Sequence, residues 1–206
     1  MGRGCFITFE GIDGCGKSTQ INMLREYLGK ESREVLLVRE PGGTVIGEKI
    51  REILLSKKND NMSPLTELLL FEAARAQITS EVIIPSVEKG ITVLCDRFYD
   101  STYAYQGYAR GMGGETVGLL NNIATGSFAP DITFVLDLTV EQALARRQGR
   151  GEAEDRMEAM GIEFQRKVRE GYLELARKEE RVRLIDASRT ADLIHEDILR
   201  IIKEKI

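Results

Sequence analysis

The chain has 206 residues, of which 42% are hydrophobic, so it is long enough for one domain with a sizeable core. Its net charge of −4 argues against a general nucleic-acid-binding protein, and no run of about 18 apolar residues predicts a membrane span. The N-terminus lacks a signal-peptide pattern, and the three cysteines form no C-x-x-C pair, so we expect reduced thiols in a cytoplasmic protein.

Short apolar runs alternate with longer helical patterns along the whole chain. The runs cover residues 5–9, 35–38, 91–95, 132–138 and 182–185. Because these runs are apolar on both faces, they predict a parallel sheet that helices cover on both sides. We therefore expect a three-layer α/β fold in a single domain, residues 1–206, with ligands at the carboxyl ends of the strands.

A glycine-rich loop follows the first predicted strand. Residues 11–19 read GIDGCGKST and match the P-loop pattern G-x-x-x-x-G-K-[ST]. Glycine frees the backbone so that successive N–H groups converge on phosphate oxygens, and the next helix points its positive end at the same anion. Lys17 is then expected to contact the β/γ-phosphates, and the Ser18 hydroxyl to hold Mg²⁺. The strand before the loop and the amphipathic helix after it favour phosphate binding over a chance glycine-rich turn.

The second predicted strand ends in the turn Arg39-Glu40-Pro41-Gly42-Gly43-Thr44. Pro41 stops the strand, and the two glycines allow a sharp turn. Arg39 is thereby predicted at the carboxyl edge of the sheet, near the P-loop. This position favours a phosphate clamp over a solvated arginine in an ordinary turn.

A long helical pattern runs from Ser63 towards Lys89. Ser63 is predicted to cap it, with a proline in the first turn, and Pro85 to kink or restart it. Phe71 and Arg75 are four residues apart and so share one face. Spacing alone places Phe71 in the core, whereas Arg75 is harder to explain there.

The third predicted strand ends in Asp96-Arg97, an arrangement typical of a Walker B strand. The carboxylate of Asp96 would lie near Ser18 and help to hold Mg²⁺, directly or through water. Arg97 would face the same crevice, although an Asp–Arg pair that neutralises itself at the surface is the alternative. Residues 99–107 interleave aromatic rings with hydroxyl and amide groups, which suits a pocket for a small planar ligand.

An arginine- and glycine-rich segment follows a short predicted helix, 140–147. Residues from about 146 to 156 are expected to form a lid that closes on bound nucleotide and supplies an arginine in cis. A solvated basic loop is the alternative. Residues 155–158 are expected to open the next helix. After the fifth strand, residues 187–189 are candidates to flank a nucleotide base, and the alternative is that Ser188 or Thr190 caps the last helix.

Taken together, these motifs resemble the thymidylate kinase family, which phosphorylates dTMP with ATP. The matching segments occur in the family's order and span nearly the whole chain: residues 9–19, 39–44, 70–75, 96–101, 105–107, the arginine-rich lid and 186–188. The P-loop alone is unspecific, but the Arg-Glu-Pro-Gly-Gly-Thr turn combined with Asp-Arg-Phe-x-x-Ser is specific. The resemblance implies a P-loop NTPase fold with a five-stranded parallel sheet and a small lid. It also implies formation of dTDP and ADP for dTTP synthesis, Mg²⁺ as cofactor, and a homodimer.

The resemblance further assigns the residues of the ATP side. The implied ATP-binding residues are Gly11, Ile12, Asp13, Gly14, Cys15, Gly16, Lys17, Ser18, Thr19, Arg146 and Ser188, the last two beside adenine. Ser18 and Asp96 are the implied metal ligands. Some family members carry an arginine at the position of Gly14 and none in the lid. Here the lid holds Arg150, which looks like the bacterial-type arrangement, with Arg146 and Arg147 as alternatives for the catalytic arginine. The implied catalytic set is Lys17, Arg97, Arg150 and Asp13.

The resemblance assigns the dTMP side as well. The implied substrate-binding residues are Asp13, Arg39, Phe71, Arg75, Arg97, Thr102, Tyr105 and Gln106. Asp13 would accept a hydrogen bond from the 3′-hydroxyl, while Arg39 and Arg97 would hold the acceptor phosphate. Phe71 would stack on thymine and Arg75 would bond its exocyclic oxygen. Thr102 and Gln106 would meet the base edge, and Tyr105 would lie under the deoxyribose and disfavour a 2′-hydroxyl.

Four alternatives remain at this point. A structural role with a vestigial loop is the least favoured of them, since Lys17, Ser18 and Asp96 are all intact. Another nucleoside monophosphate kinase would need different base contacts at Phe71, Arg75 and Gln106. A deoxynucleoside kinase is disfavoured because Arg39 and Arg97 suit an acceptor that already carries phosphate. A P-loop binding module or switch would not require a second anion site at all.

Overall fold

The computed structural model describes residues 2–149 and 155–205. Within them, five strands form one parallel sheet in the order β2-β3-β1-β4-β5. The strands are β1 Phe6–Glu10, β2 Val35–Arg39, β3 Thr92–Asp96, β4 Ile132–Asp137 and β5 Val182–Asp186. The predicted α/β class and the five predicted strands are confirmed, each boundary to within one residue.

Helices connect the strands and cover both faces of the sheet. The α-helices of the described residues are α1 Lys17–Lys30, α2 Val45–Leu55, α3 Pro64–Ile78, α4 Ile84–Glu88, α5 Tyr99–Thr102, α6 Gly114–Thr125, α7 Val140–Gln148, α8 Ile162–Lys178 and α9 Ala191–Lys205. Wider, π-helical turns follow α3 at Thr79–Ile83 and α5 at Tyr103–Ala109, and short 3₁₀ turns lie at Lys57–Asn59 and Glu158–Met160. No helix in the described part of the chain is both long and apolar enough to cross a membrane.

The central strand β1 shows why the sheet has two cores. Side chains alternate between the faces of a strand, and Phe6 packs with residues of the α3–α4 region, among them Ile78 and Val87. Phe9, on the opposite face, packs with residues of α1 and α9, among them Leu24. Strand β1 is buried along its whole length. The P-loop begins directly after its carboxyl end.

Two predicted helix boundaries are tested by the structure. The Ser63 side chain caps α3 by accepting from the Thr66 N–H, and Pro85 lies in the first turn of α4, as predicted. The expectation that residues 155–158 open a helix is wrong. Asp155 instead accepts from the backbone N–H groups of Met157 and Glu158, which caps a 3₁₀ turn, and Gly161 at φ 87° separates that turn from α8.

The predicted lid is described only in part. Arg146 and Arg147 lie in the last turn of α7, so the basic segment begins on a helix. Arg150 lies outside the described residues.

Candidate active site

A cavity of about 280 Å³ lies at the carboxyl edge of the sheet. Its walls come from the P-loop, the ends of β2 and β3, α2, α3, the α5 region and residues 155–158. It brings together most of the site residues predicted from the sequence: Asp13, Gly14, Gly16, Lys17, Ser18, Thr19, Arg39, Phe71, Asp96, Arg97, Thr102, Tyr105 and Gln106. The described residues among the predictions that do not line it are Gly11, Ile12, Cys15, Arg75, Arg146 and Ser188.

The P-loop has the backbone that its glycines predict. Gly11, Gly14 and Gly16 all adopt positive φ angles, of 129°, 91° and 103°, in the region that side chains disfavour. A Cβ atom at Gly14 would also lie 2.5 Å from the carbonyl oxygen of Ala143 in α7. A larger residue at this position would therefore push α7 away from the loop.

Lys17 is buried at the base of the loop. Its Nζ donates to the carbonyl oxygen of Gly11 at 3.1 Å and lies 3.6 Å from Asp13 Oδ1. Ser18 follows at the first turn of α1, and its Oγ lies 3.4 Å from Asp96 Oδ2. The predicted proximity of these two residues is thus observed. A hydroxyl and a carboxylate are the hard oxygen donors that Mg²⁺ prefers.

Among the described residues, no cluster of three or more His, Cys, Asp or Glu side chains is arranged to hold a metal. Ser18 and Asp96 supply two neighbouring oxygens, and an ion held there would take its remaining ligands from phosphate and water. Mg²⁺ is commonly bound in this way, through one or two protein oxygens.

Arg97 connects the end of β3 to the P-loop. It adopts φ 69°, an uncommon conformation for a residue with a side chain. Its Nη2 donates to Asp13 Oδ1 at 2.6 Å, and its Nη1 to Tyr172 Oη at 3.1 Å. The alternative of a self-neutralising Asp96–Arg97 surface pair is wrong, because the guanidinium of Arg97 turns towards Asp13.

The charge of Asp13 is stabilised by its neighbours. Burial by itself would raise the pKa of the carboxyl group, but the Arg97 guanidinium and the Lys17 ammonium hold this pKa well below its usual range. Asp13 is therefore an ionised hydrogen-bond acceptor within the P-loop, at the cavity wall.

A buried carboxyl group at the end of β1 stabilises the position of the Arg97 side chain. Glu10, the last residue of β1, is fully buried. It accepts from the Phe98 N–H at 2.7 Å, from Ser101 Oγ at 2.6 Å and from Tyr172 Oη at 2.9 Å. Because Ser101 and Tyr172 also accept from Arg97, Glu10 holds the Arg97 side chain indirectly. Burial, and then the charge of Asp100, raise the pKa of Glu10 to about 7.

The sequence analysis did not identify Glu10 and Tyr172 as site residues. The available signal for Glu10 was an acidic residue at the end of a fully apolar strand. Tyr172 carried no local signal, since it lies on α8, far along the chain. Arg51 on α2 was missed as well. It lines the cavity near Arg39, and the Nη1 atoms of both arginines donate to the carbonyl oxygen of Pro41, at 2.8 and 3.2 Å.

Arg75 lies behind the cavity wall. It is 1% exposed, and its Nε and Nη2 contact Glu40 Oε2 at 2.9 and 2.7 Å. Its Nη1 donates to Glu72 and, at 2.8 Å, to the hydroxyl oxygen of Thr102. Thr102 lines the cavity, so Arg75 reaches the cavity wall through this hydroxyl group.

Two further predicted residues lie together at another edge. Arg146 Nη2 donates to the carbonyl oxygen of Ala187 at 3.0 Å, next to Ser188. Ser188 Oγ donates to Asp186 Oδ1. Arg147 lines the main cavity and forms an ion pair with Glu158 at 2.9 Å, which links α7 to the 3₁₀ turn Glu158–Met160.

The family model, the curated relatives and the solved structure that match this chain are all thymidylate kinases. A family model described as Thymidylate kinase matches residues 9–198. The thymidylate kinases of Caldanaerobacter subterraneus subsp. tengcongensis and Thermoanaerobacter sp. are each 50% identical over 203 residues, which cover 98% of this chain and 96% and 98% of those proteins. The crystal structure of thymidylate kinase from Ehrlichia chaffeensis is similar with a TM-score of 0.78 and 33% identity, covering 97% of this chain and 99% of that one.

The raised pKa of Glu10 predicts a pH-dependent stability. Ionisation of this buried carboxyl group opposes folding, so its contribution is fully present below the unfolded-state pKa of about 4.3 and is lost as the pH rises through about 7. Relative to Glu10→Gln, the free energy of unfolding of the parent should fall by about 3 kcal/mol between pH 4.5 and pH 8. Urea unfolding of both proteins across this range measures the difference. Glu88→Gln, at an exposed position, is the control, and parallel profiles for the parent and Glu10→Gln would contradict the prediction.

Proposed function

Since the chain belongs to the thymidylate kinase family and catalyses ATP-dependent phosphorylation of dTMP to dTDP, we propose how its residues divide this reaction. The P-loop side of the cavity binds ATP, and the side formed by β2, α3 and the α5 region binds dTMP. The observation that carries this division is the Arg97–Asp13 ion pair of 2.6 Å, which joins the two sides. Of the functions considered from the sequence, phosphorylation of dTMP is confirmed.

We propose that the backbone N–H groups of residues 11–19 and Lys17 hold the ATP phosphates. Ser18 and Asp96 hold Mg²⁺ on the same side. The ion would neutralise charge on the β- and γ-phosphate oxygens. The 3.4 Å approach of the two side chains supports this role.

The acceptor phosphate is assigned to Arg39 and Arg97. A phosphate oxygen of dTMP is already a competent nucleophile, so the site needs no strong general base. It must instead align two anions that repel each other. Arg97 and Arg39 both line the cavity, and Arg51 adds a third cation near Arg39.

The nucleoside part of dTMP is assigned to the rest of the cavity. Phe71 stacks on thymine, and Thr102 and Gln106 face the base edge. Tyr105 lies under the deoxyribose, and Asp13, ionised as argued above, accepts from the 3′-hydroxyl. Arg75 lies behind the cavity wall and would act on the exocyclic oxygen of thymine through Thr102. Its hydrogen bond to Thr102 supports a position next to the base edge.

The adenine end and the lid complete the proposal. Arg146 and Ser188 border adenine, which the hydrogen bond from Arg146 to the carbonyl oxygen of Ala187, the residue before Ser188, supports. Arg150 is the catalytic lid arginine, with Arg146 and Arg147 as the alternatives. The buried free thiols of Cys15 and Cys95 suit a reducing compartment, in keeping with a cytoplasmic enzyme.

We propose a homodimer formed by α2, α3 and α6. Helix α3 packs against both other helices. Seven of the twelve exposed large hydrophobic residues in the described ranges belong to these helices: Val45, Ile46, Ile53, Leu65, Leu69, Leu119 and Ile123. Leu65 and Leu69 share a face of α3 at a spacing of four residues, and Leu119 and Ile123 share a face of α6. An apolar surface of this kind, repeated on an identical chain, suits a two-fold interface.

Removing the Arg97 guanidinium should impair both binding and chemistry. Arg97→Ala is expected to raise the KM for dTMP and to lower kcat by roughly 100-fold or more, as for other contacts to developing charge. Coupled ADP-release assays with ATP and Mg²⁺, offering dTMP, dUMP, dCMP, AMP and thymidine separately, measure both effects. Arg183→Ala, at an exposed position on β5, is the control. Kinetics equal to those of the parent would reject the role.

The lid assignment predicts a different kinetic pattern. Arg150→Ala should lower kcat with little change in the KM for dTMP, because the side chain would act on the transferring phosphoryl group alone. The same assay, run at saturating ATP, separates the two parameters. Should only the dTMP affinity change, Arg150 would be removed from the catalytic role, and Arg146→Ala and Arg147→Ala would be compared next.

The interface assignment predicts a change of mass in solution. The parent should sediment at twice the chain mass of 23.1 kDa, and Ile123→Glu should move it towards the single-chain mass, because a buried charge would face the partner's apolar surface. Leu193→Glu, at an exposed position on α9, should remain a dimer. Sedimentation equilibrium gives these masses. A parent that sediments as one chain, or an unchanged Ile123→Glu, is the contrary result.

A further inference from the structure

Glu67, on α3, is a buried carboxylate to which the reaction steps above assign no part. Its side chain is fully buried, yet four donors reach it. Arg110 donates through Nε and Nη2, both at 2.7 Å, and Arg156 Nη1 lies at 2.6 Å. The fourth donor is Nε2 of Gln106, at 2.7 Å.

The two guanidinium groups keep this carboxyl group ionised. Burial alone would raise the pKa of Glu67, but the hydrogen bonds from Arg110 and Gln106, together with the charge of Arg110, hold that pKa below its usual value. An ionised carboxylate accepts hydrogen bonds and donates none. The Gln106 amide must therefore turn its NH₂ end, and not its oxygen, towards Glu67.

The carboxylate is also fixed in space. Arg156, which contacts it, donates from Nε to the carbonyl oxygen of Leu54 at 2.7 Å and from its backbone N–H to that of Leu55 at 3.2 Å. Through Arg156, Glu67 is thus tied to the end of α2 as well as to the segment 155–158. A Gln106 amide held by this carboxylate has little freedom to invert.

The carbonyl oxygen of the Gln106 side-chain amide is the atom available to a ligand. Gln106 lies in the π-helical turn Tyr103–Ala109 and lines the cavity with Phe71 and Thr102. Within the described ranges, its side chain makes no hydrogen bond other than the one to Glu67. The carbonyl oxygen Oε1 of this cavity-lining residue is therefore left for a ligand, from which it accepts a hydrogen bond and to which it cannot donate.

We propose that Glu67 is a positioning residue that orients the Gln106 amide, so that the base pocket presents an acceptor to position 3 of a pyrimidine. This inference rests on the proposed role of Gln106 at the base edge. Thymine and uracil carry an N3–H donor, which this oxygen satisfies. Cytosine carries a lone pair at N3, so two acceptors would face each other in a buried site.

The first test uses the parent enzyme and four acceptors. We expect kcat/KM for dUMP to stay within about tenfold of dTMP, and the values for dCMP and N3-methyl-dTMP to be lower by a further factor of about 10 or more, the equivalent of one hydrogen bond lost in a buried site. Failure to phosphorylate dTMP would overturn the proposed function itself. Phosphorylation of dTMP together with equal use of dCMP would overturn this inference alone.

The second test is a double-mutant cycle. In Glu67→Gln the neutral amide both donates and accepts, so Gln106 is free to invert. The ratio of kcat/KM for dTMP to that for dCMP should fall about tenfold, mainly through KM. In a Gln106→Leu background the same change should leave the ratio unaltered. Equal losses for both acceptors, or an equal fall of the ratio in both backgrounds, would mean a merely structural role and overturn the proposal. Glu88→Gln is the matched control.

A third measurement does not depend on the folding of Glu67→Gln. The side-chain amide resonance of Gln106 in the ¹⁵N-labelled parent is identified by its loss in Gln106→Leu. The proton that Nε2 donates to Glu67 should exchange slowly with water, both without ligand and with dTMP bound, because the carboxylate holds it. Exchange as rapid as that of an exposed glutamine would overturn the proposal.

Discussion

The ion pair between Arg97 and Asp13 is the contact on which the site depends. It joins the end of β3 to the P-loop, at a distance of 2.6 Å. Arg97 enters this position through an uncommon backbone conformation, which the surrounding contacts must stabilise. Tyr172 and Ser101 hold the other side of its guanidinium, and Glu10 holds both of them. One network of side-chain contacts therefore joins the P-loop to the ends of β1 and β3.

The buried charged residues around the cavity are subject to a second physical constraint. Buried charges are stable only when partners satisfy them, and the described site contains several such groups. Arg75 is matched by Glu40 and Glu72, and Glu67 by Arg110 and Arg156. Of these six residues, only Glu40 lines the cavity. Arg75 donates to Thr102, and Gln106 donates to Glu67, so these pairs hold two of the polar side chains that line the cavity. Such preorganisation is the main route by which a site favours one ligand over a similar one.

Sequence reasoning succeeded where the pattern is local. The five strands, the positive φ angles of the P-loop glycines and the cap at Ser63 follow from neighbouring residues. The approach of Ser18 to Asp96 follows from parallel strands that end at one edge. It failed at residues 155–158, because an Asp that caps a 3₁₀ turn looks like an Asp that opens a helix. It also paired Arg97 with Asp96 in one alternative, since adjacency along the chain does not reveal which way a guanidinium turns.

The sequence by itself determined the fold class, the phosphate loop and the family. These depend on periodicity and short motifs, which short-range sterics and hydrogen bonding control. The tertiary structure alone decided which buried charged and polar groups meet. Glu10 and Tyr172 are 162 positions apart, and Glu67 reaches Arg156 across 89 positions, yet each pair is in direct contact. Contacts at such separations arise only when the sheet and helices pack, because burial then forces each charge to find a partner.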